Sequence, residues 1–81
     1  MVFFVYILQC ADKSYYTGVA TDLIKRLNRH NNGKAAEYTK IRRPVSLKYY
    51  EEFDDKNLAL IREKQIKAFS LKNKEYLIQH G

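Results

Sequence analysis

One cysteine, one proline, three glycines and no tryptophan occur in this chain of 81 residues. The lone Cys10 excludes an intramolecular disulfide framework and suits a reducing compartment. With 46% apolar residues and so little proline and glycine, the chain is neither a disordered tail nor a low-complexity tract. Long hydrophobic runs are missing too. The opening MVFFVYILQCA has no basic n-region and reaches Asp12 too soon for a signal peptide or a membrane span. The cytoplasm is the expected compartment, with no membrane partner. One domain over residues 1–81, with a single modest core, is what this length allows.

Acidic residues are scarce in one stretch in particular. Between Leu23 and Tyr49, Lys25, Arg26, Arg29, Lys34, Lys40, Arg42, Arg43 and Lys48 face only Glu37, and the net charge is +6. Glu51, Glu52, Asp54 and Asp55 then form an acidic knot. A basic middle is the footprint of a polyanion binder, which makes nucleic acid the expected partner. A solvated basic surface is the plainer alternative.

VFFVYIL (2–8) is a continuous β-branched and aromatic run, the pattern of a strand covered on both faces. ADKS supplies a turn and YYTGV (15–19) the returning strand; Pro44 introduces a third strand, VSLKYYEEF (45–53). Three helices are expected. The first is capped at Thr21 or Asp22 and stopped by Asn-Asn-Gly at 31–33; the second runs from an Asp54 or Asp55 cap to about Phe69; the third, capped by Ser70, covers 71–79. NNGKAAEYTKIRRP (31–44) is a connection long enough to suggest a substrate-contacting loop.

In the first helix, Leu23, Ile24 and Leu27 form an apolar stripe, with Arg26 and His30 four apart on one flank. Arg26 there can offer its planar fork of donors to a phosphate, or merely cover core with its methylenes. His30 alone could simply complement the helix dipole. In the second helix Leu58, Ile61 and Phe69 mark the expected core face, and Glu63 lies off it in a row with Ala59 and Lys67. A carboxylate beside a basic cleft suits a hard divalent cation, while an ordinary i,i+4 pair with Lys67 is the bland alternative.

Collected in order, these residues resemble the GIY-YIG nuclease superfamily, and most closely its small stand-alone bacterial members. Phe4-Val5-Tyr6 keeps the tyrosine of the first motif half, and Tyr16-Thr17-Gly18 keeps the tyrosine and glycine of the second. Arg26 with His30 matches the family's helix motif, Glu63 its metal-binding glutamate, and Tyr38 a tyrosine often found after the first helix. Asn73 is the candidate for a polar residue near the end of the domain. The resemblance implies an α+β fold, a three-stranded antiparallel sheet flanked by three helices. It implies a metal-dependent endonuclease acting on DNA, including structured or damaged DNA in repair, with a single Mg²⁺ or Mn²⁺ on Glu63.

In the roles so implied, Tyr6 accepts a proton from water, Tyr16 and His30 hydrogen-bond around it, and Arg26 neutralises charge on the phosphate. Gly18 would let backbone approach substrate, with Tyr38, Lys40, Arg42 and Arg43 as further substrate contacts. A free phenol has a pKa of about 10, so ionising Tyr6 at neutral pH costs about 4 kcal/mol unless the site helps. The rival function is a non-catalytic nucleic-acid-binding module on the same fold, since phosphate contacts and stacking need no metal. Larger family nucleases carry additional domains that choose the substrate. This length has no space for one, leaving a homodimer or a protein partner to supply specificity.

Overall fold

The computed structural model describes residues 1–81. Strand β1 (Phe3–Gln9) lies at the centre of a three-stranded sheet, with β2 (Tyr15–Ala20) and β3 (Ser46–Phe53) antiparallel on either side. Val5, Tyr6, Ile7 and Leu8 are all buried, as the unbroken apolar run of β1 requires of a strand covered on both faces. The hairpin turns at Cys10–Ser14, with Lys13 at φ 73°. Its register sets Tyr6 opposite Gly18 and Ile7 opposite Thr17.

The helices begin where the sequence offers caps. Asp22 accepts from the Lys25 N–H at 3.0 Å to open α1 (Leu23–Asn31), and Asp55 accepts from Asn57 and Leu58 to open α3 (Lys56–Lys67). Ser70 does the same for α4 (Leu71–His80) through the Asn73 N–H at 3.1 Å. Gly33 ends α1 at φ 72°, where its N–H reaches the His30 carbonyl and the Lys34 N–H that of Arg29.

Each sheet face carries its own cluster. On one side Tyr6, Leu8, Cys10, Ala20 and Val45 pack with Tyr16, Leu23, Leu27 and Leu47; on the other, Val5, Ile7, Ala59 and Ile66 pack with residues that include Phe53, Phe69, Leu77 and Ile78. Two expected helix faces are rotated. Leu58 and Ile61 are 56% and 55% exposed, and α3 instead buries Ala59 and Ile66. A methyl group at Ala59 lets the helix backbone approach the sheet, which leucine there would prevent. In α1, Ile24 points outward while Leu23, Leu27 and His30, spaced i, i+4, i+7, turn inward.

The 31–44 connection is built rather than loose. It contains a one-turn helix, α2 (Glu37–Lys40), where the sequence pattern shows only a loop because one turn carries no usable periodicity. The Asn31 side chain bonds the backbone N–H and C=O of Val45 at 2.8 and 3.0 Å. At the far end, the Ala11 N–H bonds the Arg42 carbonyl at 2.9 Å, and the Arg42 guanidinium pairs with Asp12 at 3.1 Å. No helix is long and apolar enough to cross a membrane.

Candidate active site

Tyr6 places its ring directly over Gly18. A Cβ at position 18 would lie 2.5 Å from the Tyr6 hydroxyl and 2.7 Å from its ring carbon, so the glycine exists here to admit the phenol. That is a packing reason for the glycine, beside the expectation that it clears a path for substrate. The Tyr6 oxygen is 2.9 Å from Nε2 of His30, with the Arg26 guanidinium also beside it. Burial pushes the phenol up to about 12; Arg26 beside it acts the other way, while Tyr16 and Glu63 raise it further.

His30 is buried rather than flanking the helix, and both ring nitrogens are used. Nδ1 is 2.8 Å from Oγ1 of Thr39, which in turn bonds the Ala36 carbonyl at 3.1 Å. Thr39, on α2, is fully buried. Burial lowers the pKa of His30 below its ordinary 6.5, and the positive Arg26 and Arg29 lower it further, so the ring is neutral at neutral pH.

Tyr16 lies edge-on to His30 at 5.1 Å between ring centres, and stacks on Tyr38 at 6.2 Å. Tyr38 carries the Arg42 guanidinium 3.9 Å above its ring. The inner members of this column, His30 and Tyr16, line a pocket of about 200 Å³ together with Arg26, Arg29 and Ala35. A second pocket of about 190 Å³ shares Arg26 and Arg29 and adds Lys25. Arg26 holds its place by donating to the Val19 carbonyl at 3.1 Å, and Arg29 by donating to that of Lys34.

The expected substrate contacts of the loop divide differently. Arg42 spends its donors on Asp12 and the Tyr38 carbonyl, and Arg43 bonds the carbonyls of Lys40 and Asn31. Both brace the connection. Lys40 and Arg43 also line a broad surface depression with Asn31, Ile41 and Pro44, apart from the residues around Tyr6. Asn73 lies exposed on the first turn of α4, and its side chain bonds none of these groups.

Glu63 projects from α3, which packs against the β1 face opposite α1, yet its charge is felt at Tyr6. Its side chain is 17% exposed and pairs with Lys67 at 3.3 Å, the i,i+4 contact anticipated as its plainer role. No three His, Cys, Asp or Glu side chains form a cage for a metal ion. A single hard carboxylate whose charge reaches the Tyr6 phenol still fits Mg²⁺ or Mn²⁺, which keep most of their waters and need only one or two carboxylates from a protein.

Thr39 and Arg29 are not among the candidates that the sequence motifs single out. Arg29 could have been found, three residues from Arg26 and so on nearly the same helix face. Thr39 carries no local signal, because its partner lies nine positions away across a loop.

Known proteins share this sequence pattern and this fold. Residues 2–76 match the GIY-YIG catalytic domain. A UPF0213 protein of Staphylococcus saprophyticus is 55% identical over 78 residues, covering 96% of this chain and 95% of that protein. The solution NMR structure of the UPF0213 protein from Bacillus halodurans superposes with a TM-score of 0.63 at 40% identity, over 98% of this chain and 84% of that one. A protein from E. faecalis, also solved by NMR, gives 0.67 at 34% identity with the same coverage.

Proposed function

The chain belongs to the GIY-YIG family, and from that premise we propose that it is a divalent-metal-dependent endonuclease hydrolysing phosphodiester bonds of DNA. The observation that carries the reading is the hydrogen-bonded pair of Tyr6 and His30 beside a pocket lined by Arg26 and Arg29. Two guanidiniums bind a phosphate with charge-assisted hydrogen bonds and stabilise the charge that develops on its oxygens. Tyr16 at the pocket wall orients the attacking water.

A lone Tyr6 phenolate is a poor base here. With the phenol pushed up to about 12, ionising it at pH 7 costs about 7 kcal/mol. The pair avoids that cost, because the phenol can pass its own proton to His30 as it takes one from water. The water oxygen bonds to phosphorus and its proton moves to the Tyr6 oxygen. The Tyr6 proton moves to Nε2, and the P–O bond to the departing nucleoside oxygen breaks with its electron pair on that oxygen. That alkoxide then takes a proton from solvent, and the imidazolium releases one. An imidazolium at position 30 is disfavoured first by burial and then by Arg26 and Arg29, and a phosphate bound between the two guanidiniums would offset the repulsion from them. Glu63 would hold the Mg²⁺ or Mn²⁺ ion, which when bound polarises the phosphate and stabilises the leaving oxygen.

A cleavage screen over linear, branched and nicked DNA and over RNA, with Mg²⁺ or Mn²⁺, tests the proposal. Glu63→Gln keeps the size of the side chain and removes the charge that would hold the ion, so cleavage should fall on the order of a hundredfold or more. Folding stability should hardly change. If the parent protein cleaves nothing while binding nucleic acid with a steep salt dependence, the site is that of a binding module.

A further inference from the structure

We propose that Thr39 is a positioning residue that fixes the tautomer of His30, so that Tyr6 donates its proton to Nε2. Counting hydrogens leads to this assignment. The Thr39 hydroxyl has one hydrogen and lies 3.1 Å from the Ala36 carbonyl and 2.8 Å from Nδ1 of His30. The carbonyl can only accept, so the hydroxyl donates there. Thr39 Oγ1 then has only lone pairs to offer His30, and Nδ1 must carry the imidazole hydrogen. The buried ring is neutral and holds a single N–H, which leaves Nε2 bare. The Tyr6 hydroxyl, 2.9 Å away, donates to it.

The opposite orientation is worse at both ends. Were Thr39 to donate to Nδ1, its oxygen would face the Ala36 carbonyl oxygen at 3.1 Å with no hydrogen between them, although that carbonyl would keep the Lys40 N–H at 3.0 Å. Nε2–H would then point at the Tyr6 oxygen, and the buried Tyr6 hydrogen would have no acceptor, since Arg26 beside it can only donate and Nε2 is the acceptor in reach. The orphaned Tyr6 hydroxyl costs about 1–3 kcal/mol, which selects the first orientation. The one-turn α2 thus serves the chemistry by bringing one hydroxyl to the back of His30, with the 31–44 connection pinned at both ends to hold it there. The consequence for catalysis rests on the hydrolase reading above; the tautomer itself does not.

Nitrogen-15 NMR of the His30 imidazole, on the full chain at neutral pH, reads the tautomer directly in the parent, Thr39→Ser and Thr39→Val. The parent and Thr39→Ser should carry the hydrogen on Nδ1. Thr39→Val keeps the branched shape but offers no lone pair, so Nδ1–H loses its acceptor and the share of molecules with the hydrogen on Nε2 should rise above the parent's. In that variant kcat should fall in step with the Nδ1–H share lost, by up to roughly a hundredfold, with KM unchanged, while Thr39→Ser should restore it. A parent with its hydrogen on Nε2 overturns the proposal, and so does a Thr39→Val protein with the parent's tautomer ratio. Full cleavage by a tautomer-shifted Thr39→Val overturns the positioning role. Should Thr39→Val fail to fold, the parent and Thr39→Ser spectra still decide the tautomer. If the tautomers behave as stated but the parent cleaves nothing, the hydrolase reading fails and the control of His30 by Thr39 stands.

Discussion

The two faces of β1 differ by one residue in register and by almost everything in chemistry. Val5 and Ile7 point into an apolar cluster with Ala59 and Ile66, beside which Thr17, opposite Ile7 in register, buries a hydroxyl that has no hydrogen-bond partner. Tyr6, between them in sequence, points the other way into a face that buries a phenol, an imidazole and a threonine hydroxyl in one hydrogen-bonded chain. The first face supplies stability by removing apolar area from water. The second gains little net stability from its hydrogen bonds and would lose much if any partner were orphaned. Small proteins can rarely spare core for chemistry. This one does so by giving the dry face to α3 and α4, and the wet face to α1 and the loop that follows it.

The largest effect should come from attacking the dry face. Ile66→Ala leaves a cavity in a fully buried position and should cost about 3 kcal/mol in denaturant unfolding. Cleavage per folded molecule should stay near that of the parent. A loss of cleavage beyond the loss of folded protein would show that the two faces do not work independently. Next is Gly18→Ala, whose new methyl group would collide with the Tyr6 phenol. Stability should fall by about 1–3 kcal/mol through overpacking, and cleavage should fall with it because Tyr6 must move.

Tyr6→Phe sharpens the contrast from the other side. It removes one hydroxyl and leaves Nε2 of His30 without a donor, so unfolding free energy should drop by about 1–3 kcal/mol. Cleavage should drop on the order of a hundredfold. The smallest effect is a slope. The His30 pKa lies below 6.5 in the fold, because of burial first and Arg26 and Arg29 second. Below pH 6.5 the unfolded chain therefore binds a proton that the folded chain refuses, until the folded pKa is reached. Stability should be fully present above pH 6.5 and decline as the pH falls through that window. The groups facing His30 are Tyr6 from β1, Tyr16 from β2, and Arg26 and Arg29 from its own helix. His30→Gln should flatten the slope in pH-dependent denaturation, whereas Ile66→Val should shift the whole curve without changing it.

Much of this is legible in the amino-acid sequence. The strand of residues 3–9 announces itself as an unbroken apolar run, and Asp22, Asp55 and Ser70 cap the helices that the sequence assigns to them. The motifs single out Tyr6, Tyr16, Arg26 and His30 together, and the fold brings them together. Arg42 and Arg43, like Arg26 and Arg29, each donate to a backbone carbonyl, an anchoring that the linear chain does not show. The face of α3 is the misreading. Leu58 and Ile61 look like core because they are large. They are outside because a helix packs by what lets it come close, and Ala59 does that better than leucine.

The sequence by itself determined the strand-and-helix order, the caps and the kinds of chemical group available, because these depend on neighbours within a turn or a strand alternation. Only the tertiary structure decided which faces turn inward, that His30 is buried, and that a threonine from the long connection stands behind it. Those outcomes depend on contacts between residues far apart in the chain, such as Tyr6 with His30, and on the strong tendency of buried donors to find acceptors, to which the Thr17 hydroxyl is the exception. Local pattern carries no record of either.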